Sequence, residues 1–250
     1  MQQSNGQLTL KLHFVTLYGH MDTKKSIESM FASGAHFGLG KSRRHPTLSK
    51  FIFGTKNGTD VFDLEKTQIC LEKAKAFVSN LAKDGKTILY VGGKKEAFMS
   101  IRNSADLEAM PYVDGRWIGG TISNFPQIRK RIDRYEKLVS DREKGELAKY
   151  TKRERMLIDK EIASLEKMFL GIVSMKKIPD ALFVIDPRRE KIAVKEALDF
   201  NIPVIALCGS DCDITNITYP IIGNDSSKTS IQYFIDEVTR TYQAGKVPKK

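Results

Sequence analysis

The chain has 250 residues, 41% of them hydrophobic, and its 41 basic and 30 acidic residues give a formal net charge of +11. This apolar content is enough for a packed core and excludes wholesale disorder, while the three scattered cysteines exclude a disulfide framework and fit a reducing cytoplasm. The positive charge indicates a polyanionic partner, either nucleic acid or an anionic membrane, with a basic surface that has no partner as the alternative.

The N-terminal region, residues 1–28, is predicted to be an extension of the folded domain. It contains Leu8, Leu10, Leu12 and Phe14, whose alternation is typical of a strand, but no features of a signal peptide. No stretch of the chain approaches the ~20 consecutive apolar residues of a membrane span, so no membrane partner is expected.

Residues 29–123 alternate between strand-like and helix-like segments. The Asn57-Gly58 dipeptide between two short apolar runs predicts a β-hairpin. A helix is predicted over residues 63–85, ending at Gly85, and a buried strand over 86–93. A second helix over 94–110 and a short strand over 111–115 complete this part of the chain.

The same alternation returns in residues 178–244. Strands are predicted over 180–186, 202–209 and 217–223, with a helix over 187–201 that opens at Pro187. A closing helix begins near residue 225, capped by Asp225 or Ser226, and residues 245–250 form a basic tail. Repeated strand–helix alternation predicts an α/β domain, formed by 29–123 and 178–244, with a mostly parallel sheet and right-handed crossovers.

One segment, residues 124–177, interrupts the alternation. Apolar residues recur there at steps of three and four, the a/d spacing of a coiled coil, in two arms separated by a polar turn around Gly145. The members of this pattern are Ile128, Ile132, Tyr135 and Val139, then Ile158, Ile162, Leu165, Phe169 and Ile172. The spacing predicts an inserted antiparallel coiled-coil helical hairpin, and the alternative is two ordinary helices packed flat on the sheet.

The best candidate for a nucleotide site is the loop "YVGGKKEAF", where Gly92 and Gly93 end a strand and Lys94 and Lys95 open a helix. The loop matches neither G-x-G-x-x-G nor G-x-x-x-x-G-K-[ST]. A nucleotide- or phosphate-binding α/β enzyme is therefore the alternative function. The same loop would receive an RNA phosphate equally well, because the physics is identical.

The residue types used in catalysis and metal binding form no recognisable site. Asp186 ends a strand, but no acidic residue at another strand end pairs with it, and Pro187 follows, so we expect a helix cap. Of the four histidines, none belongs to an H-x-x-x-H or H-E-x-x-H arrangement, and His36 and His45 alone would make a poor metal site. We predict no catalytic residue, metal or cofactor.

The stretch "ASGAHFGLGKSRRHP" has the composition of an RNA-binding loop. Its glycines allow close approach of the backbone, and its basic and aromatic side chains suit phosphates and bases. The predicted RNA contacts are His36, Phe37, Lys41, Arg43, Arg44 and His45. We expect Arg43 and Arg44 to meet phosphate and His36 to fix the loop by hydrogen bonds, with Phe37 packed beside it.

A second stretch, "DGRWIGGTISNFPQIRKR", lies at the base of the predicted hairpin. Its predicted RNA contacts are Arg116, Trp117, Asn124, Arg129, Lys130 and Arg131, and Lys94 and Lys95 complete the set. For the aromatic members Phe37 and Trp117, a core position beneath the hairpin is the alternative.

Several motifs, in order along the chain, resemble the ribosomal protein S2 family in its bacterial form. They are "GAHFG" at 34–38, "FIFGTKNG" at 51–58, "DLEKT" at 63–67, "RWIGGTISNF" at 116–125, "PDALFVID" at 179–186, "IPVIALCGSDCD" at 202–213 and "GND" at 223–225. The resemblance extends from about residue 29 to 244.

This resemblance implies a flavodoxin-like three-layer α/β/α domain with a protruding helical hairpin and no catalytic residues. It implies a structural protein of the small ribosomal subunit, in the cytoplasm, that acts in translation. The implied partners are small-subunit rRNA, neighbouring ribosomal proteins and, in many bacteria, the large mRNA-binding protein S1. Because family members start close to the first motif, residues 1–20 are either a genuine extension or an upstream sequence absent from a native protein that starts at Met21.

Overall fold

A computed structural model describes residues 24–246 of the chain. The predicted strand around Leu8–Phe14, the alternative start at Met21 and the last four residues of the basic tail lie outside this range. In chain order the elements are α1 (24–32), β1 (Phe37–Gly40), β2 (Ile52–Lys56), β3 (Thr59–Phe62), α2 (Leu64–Lys83), β4 (Ile88–Val91), α3 (Phe98–Glu108), β5 (Tyr112–Val113), α4 (Phe125–Glu143), α5 (Lys152–Phe169), β6 (Ala181–Ile185), α6 (Lys191–Asp199), β7 (Val204–Cys208), β8 (Tyr219–Ile222) and α7 (Lys228–Gly245).

A small antiparallel sheet comes first, with strand order β1-β3-β2. The turn between β2 and β3 places Asn57 and Gly58 at φ values of 52° and 77°. Two consecutive residues with positive φ define the tight hairpin turn that Asn-Gly favours. The predicted β-hairpin is therefore confirmed.

The main sheet has five parallel strands in the order β5-β4-β6-β7-β8. Numbered along the chain, this order is 2-1-3-4-5, so the direction of winding changes between β4 and β6. Every residue of β4, β6 and β7 is buried, as expected for strands covered on both faces. The predicted parallel α/β sheet is confirmed.

The sheet separates two cores. Alternate residues such as Leu182 and Val184 of β6 face one core, which also contains the buried side chains of the hairpin and of α6. Their neighbours, such as Phe183 and Ile185, face the other core, with α2, α3 and α7. Helices therefore cover both faces, and the two cores follow directly from the period-two alternation of side chains in a strand.

The segment between β5 and β6 forms a helical hairpin. Helices α4 and α5 contact each other and are joined by residues 144–151, so they run in opposite directions, and Arg134 of α4 pairs with Glu161 of α5 at 3.1 Å. Thr151 and Glu154 form a capping box at the start of α5. Between residues 141 and 157 only Leu147 has a buried side chain, so the end of the hairpin stands clear of the core.

Most of the predicted a/d residues are buried, among them Ile128, Ile132, Ile162 and Leu165, and they belong to the core that also contains residues of the main sheet. Ile172 differs, because it lies in a 3-10 turn (Leu170–Ile172) after α5 has ended.

Two predicted helix starts were wrong. Helix α6 begins at Lys191 and not at Pro187, because a turn over residues 187–190 follows Asp186, whose φ is 62°. Helix α7 begins after Ser227, and the side-chain Oδ1 of Asn224 accepts the N–H groups of Ser226 and Ser227.

Candidate nucleic-acid interface

The glycine-rich loop between α1 and β2 lies at the carboxyl edge of the main sheet. The loop is attached to Ser210, which follows β7: the Leu39 N–H donates to the Ser210 hydroxyl at 2.9 Å, and the His45 N–H donates to the Ser210 carbonyl at 2.8 Å. The Lys41 N–H donates to the carbonyl of Gly58 in the β2–β3 turn. Three segments distant in sequence therefore meet at this edge.

The two adjacent arginines of this loop have different surroundings. The Arg44 guanidinium donates two hydrogen bonds to the fully buried carboxylate of Asp60, Nε to Oδ2 at 2.7 Å and Nη2 to Oδ1 at 2.5 Å, and a third to the Thr55 hydroxyl. These contacts hold the pKa of Asp60 below its ordinary value. Arg43 is exposed and forms no ion pair with any residue in 24–246. Only Arg43 therefore has its charge available to a partner.

Lys41 is also exposed, and its N–H contacts the β2–β3 turn, next to Lys56 at the end of β2. The edge of the loop therefore presents a group of cations. His45 is half-buried and shares a hydrogen bond of 2.8 Å with the Thr47 hydroxyl through Nδ1. The predicted basic surface thus contains Lys41 and Arg43, with Arg44 beneath it as a structural residue.

The His36 ring contacts two phenylalanines, stacked on Phe31 and tilted against Phe37. Its ring centroid is 4.3 Å from that of Phe31 and 4.0 Å from that of Phe37, and these two side chains are 62% and 52% exposed. The His36 Nδ1 atom is buried without a hydrogen-bond partner among the described residues, and burial lowers the pKa of the ring. Nδ1 therefore makes no loop-fixing hydrogen bond to residues 24–246, and the ring contacts Phe31 and Phe37 instead.

The candidate phosphate loop after β4 is filled by the protein itself. The Lys94 ammonium lies 2.7 Å from a carboxylate oxygen of Asp186 and 2.7 Å from one of Asp225, and the Gly93 N–H donates to Glu190 at 3.1 Å. Burial raises the pKa of Asp225, and although burial alone would lower the pKa of Lys94, the two carboxylates raise it. Lys94 is therefore turned inward.

This arrangement lies at the point where a doubly wound sheet usually binds its ligand, since Lys94 follows β4 and Asp186 follows β6. The two strands are neighbours on either side of the change in winding direction. The nucleotide site considered as an alternative is thus occupied by an internal ion-pair network. Lys95, the next residue, is exposed and forms no ion pair with a described residue.

One group of possible metal ligands is present in the described part of the chain. Oxygen and sulfur atoms of Asp186, Cys212 and Asp225 lie within 4.8 Å of one another. The Lys94 ammonium, bonded to both carboxylates, already supplies a cation there. Burial also raises the pKa of the Cys212 thiol, which disfavours the thiolate that a metal requires.

The second predicted stretch precedes and enters α4, and it contains both buried and exposed residues. Trp117 is only 4% exposed, as in the alternative reading of a core residue, and its Nε1 donates to Glu196 of α6 at 3.3 Å. Arg116 and Asn124 are exposed. Trp117 therefore cannot stack on a base without leaving the core.

Three consecutive basic residues on α4 also divide between structural and exposed positions. Arg129 pairs with Asp133 and Glu136, and it donates to the Val173 carbonyl at 2.9 Å, where the chain leaves the hairpin. Lys130 and Arg131 are exposed and form no ion pair within residues 24–246. Arg129 thus ties the two ends of the hairpin together.

Sequence reasoning missed the carboxylates that hold this surface together. Asp60 and Asp225 neutralise two predicted RNA contacts, and Glu196 binds the segment before the hairpin.

No helix within residues 24–246 has the length and apolar character needed to cross a membrane.

Comparison with known proteins defines the class, the structural proteins of the small ribosomal subunit. Residues 30–245 match the sequence profile described as "Ribosomal protein S2". The chain is 41% identical over 221 residues to the small ribosomal subunit protein uS2 of Sulfurimonas denitrificans, covering 88% of this chain and 85% of that protein. It is 39% identical to uS2 of Dictyoglomus thermophilum over 88% of this chain and 89% of that one.

The uS2 protein of Coprothermobacter proteolyticus is 36% identical over 88% of this chain and 82% of its own length. The chain belongs to the ribosomal protein S2 family, and the family resemblance seen in the sequence is confirmed. It is a structural constituent of the small subunit of the cytoplasmic ribosome, acts in translation and is not an enzyme.

Proposed function

We propose that the chain binds small-subunit rRNA through six exposed cations, two in the glycine-rich loop and four between β4 and the first half of α4. They are Lys41, Arg43, Lys95, Arg116, Lys130 and Arg131. Phe37, His45 and Asn124 lie among them as aromatic and polar contacts. The observation that carries the proposal is that none of the six cations forms an ion pair with a described residue, although most basic residues near them do.

Unpaired surface cations are the groups that bind a nucleic-acid backbone, because they release condensed counterions from phosphates. The net charge of +11 has the sign that rRNA requires. This binding set excludes four of the residues considered above, because their side chains are buried or bonded to other residues of the protein. They are Lys94, Arg44, Arg129 and Trp117. Fixed contacts to phosphate set the register of the protein on RNA without reading its sequence.

We also propose a more specific description of the fold. The strand order 2-1-3-4-5 is that of flavodoxin-like sheets, which supports this class for the domain formed by residues 29–123 and 178–244. The a/d spacing and the contact between α4 and α5 support a coiled coil for the inserted unit, residues 124–177. The remaining partners are neighbouring ribosomal proteins, including protein S1 where the organism has it.

The experiment measures incorporation of variants into small subunits at increasing salt. We expect K41A/R43A to leave the subunits at lower salt than the parent, with a salt slope smaller by about 1.6, because two phosphate contacts at roughly 0.7 to 0.9 each are lost. Lys73→Ala is the matched control, since Lys73 is an exposed cation on α2 without an ion pair in the described residues. Equal salt resistance of K41A/R43A and the parent would contradict the proposal.

A further inference from the structure

The segment over residues 117–123 connects the main sheet to the hairpin, and a single carboxylate holds it. Glu196 Oε1 accepts the Gly120 N–H at 2.7 Å and the Trp117 indole N–H at 3.3 Å. Oε2 accepts the N–H groups of Ile122 and Ser123 at 3.0 and 3.2 Å. Four donors therefore converge on one side chain of α6.

The Glu196 carboxylate is bound by N–H groups and by no cation within the described part of the chain. Glu196 is 8% exposed and forms no ion pair with a residue in 24–246. Burial acts to raise its pKa, but the backbone hydrogen bonds outweigh burial and lower it. The carboxylate thus stays ionised and is satisfied by N–H groups that the turning segment could not pair within a helix or strand.

The position of this contact matters because α4 starts directly after it, at Phe125. Gly120 adopts a φ of +93°, so the chain reverses there, and the direction of that turn sets the direction in which α4 leaves the domain. The other end of the hairpin is also fixed, since Gly171 packs against the backbone and ring of Tyr112 on β5. A Cβ at Gly171 would lie 2.7 Å from the Tyr112 ring.

We propose that Glu196 is a positioning residue that sets the direction of the helical hairpin relative to the sheet. It does so by fixing the first of the two connections, while Gly171 fixes the second. Its further consequence, that a correctly directed hairpin is needed for docking on rRNA, rests on the proposed function. Glu196 itself lies beneath the surface and contacts no RNA.

The test measures the direction of the hairpin by the distance between two spin labels in the full-length protein. The labels occupy Lys149→Cys near the end of the hairpin and Lys83→Cys on α2, in a Cys70→Ser background that leaves the buried Cys208 and Cys212 unlabelled. Glu196→Gln keeps the shape of the side chain but replaces one acceptor with a donor. Glu196→Ala removes both acceptors.

Two controls separate positioning from a general loss of stability. Lys195→Ala changes the exposed neighbour of Glu196 on the same helix. Val238→Ala removes two methyl groups from the core on the opposite face of the sheet, which lowers stability without touching residues 117–123. Amide exchange compares residues 120–123 with the buried strand β6.

We expect one narrow distance distribution in the parent and in both controls, and a broad one in E196Q and E196A. Amide exchange at residues 120–123 should be at least tenfold faster in E196Q than in the parent. The exchange rate of β6 in E196Q should differ from that of the parent by no more than it does in V238A. A narrow distribution in E196Q, or equal broadening in V238A, would overturn the proposal.

Incorporation into small subunits tests the link to RNA separately. E196Q should be lost at lower salt than V238A, and equal loss would overturn that link. If the parent itself fails to join small subunits, the proposed function fails, whereas the label distances still decide the role of Glu196.

Discussion

Replacing Arg44 with alanine removes a partner from a carboxylate that has no contact with water. The Asp60 side chain is fully buried and accepts two hydrogen bonds from Arg44 and one from Thr55. After the substitution only the Thr55 hydroxyl remains, and the negative charge stays inside the protein. We expect a large loss of stability from a residue whose sequence context indicates an RNA contact.

Breaking one side of a buried ion pair costs roughly 3 to 5 kcal/mol. The Arg44 side chain is 22% exposed, so its removal lets some water reach Asp60, and the lower end, about 3 kcal/mol, applies. In a chain of this size each kcal/mol lowers the melting temperature by roughly 2 to 4 °C, so the expected decrease is roughly 6 to 12 °C. Arg43→Ala is the matched control and should change stability by less than about 0.5 kcal/mol.

The assay is urea unfolding of each full-length variant at pH 7, followed by circular dichroism. R44A/D60N adds a second check, because an uncharged amide costs less to leave unpaired than a carboxylate. The double variant should therefore be more stable than R44A alone. A loss below about 1 kcal/mol in R44A, or no recovery in the double variant, would refute the argument that Asp60 depends on Arg44.

Three other predictions concern the hairpin connections and the thiols. The pKa of Glu196 is lower in the folded protein than its unfolded value of about 4.3. The resulting stabilisation is therefore present above about pH 4.3 and is lost as the pH falls through the pKa of the folded state. The difference in unfolding free energy between the parent and E196Q should shrink from pH 6 to pH 3.5. A pH-independent difference would contradict this. Gly171→Ala should cost about 2 kcal/mol by forcing a Cβ against Tyr112, whereas Gly54→Ala, which meets nothing within 4 Å, should be neutral in the same thermal melts. Burial raises the pKa of Cys70, Cys208 and Cys212, and Cys70 is only half-buried. A thiol reagent at pH 8 should therefore modify Cys70 first, and it should modify all three thiols only in denaturant. Rapid reaction of Cys212 in the native protein would show that its site opens.

Periodicity in the sequence predicted the elements that local chemistry determines. The apolar runs that form β4, β6 and β7 have no polar alternation, which indicates strands buried on both faces. The Asn57-Gly58 dipeptide likewise predicted the β-hairpin, and the repeated three- and four-residue steps predicted the helical hairpin. The start of α6 was not, because Asp186 leaves its strand in a left-handed conformation that Pro187 alone does not signal.

The functional surface was harder to predict because charge pairing depends on distant segments. Arg43 and Arg44 are adjacent and chemically identical, and only the position of Asp60 on β3 distinguishes them. Lys94 looked like a phosphate ligand, yet its partners Asp186 and Asp225 lie 92 and 131 residues further along the chain, each after a different strand. No pattern within one segment carries that information.

Glu196 shows how part of such a contact can be inferred. It lies between Val194 and Ala197 on the buried side of α6, where a charged residue needs partners. Helical periodicity therefore marks it as a buried carboxylate. It does not identify the N–H groups of Gly120, Ile122 and Ser123 as its partners, since these depend on how the loop turns.

The ion pairs of Lys94 have a consequence for what kind of molecule this domain can be. In a doubly wound sheet, the gap beside the change in winding direction gives a small molecule access to the strand ends, and occupancy of that gap can alter the conformation of the whole domain. Here the gap is closed by a side chain of the protein, bonded to residues after two other strands. A metabolite could enter this gap only by displacing Lys94 from both carboxylates, so the two ion pairs favour one conformation at the centre of the domain, as suits a component of a large assembly.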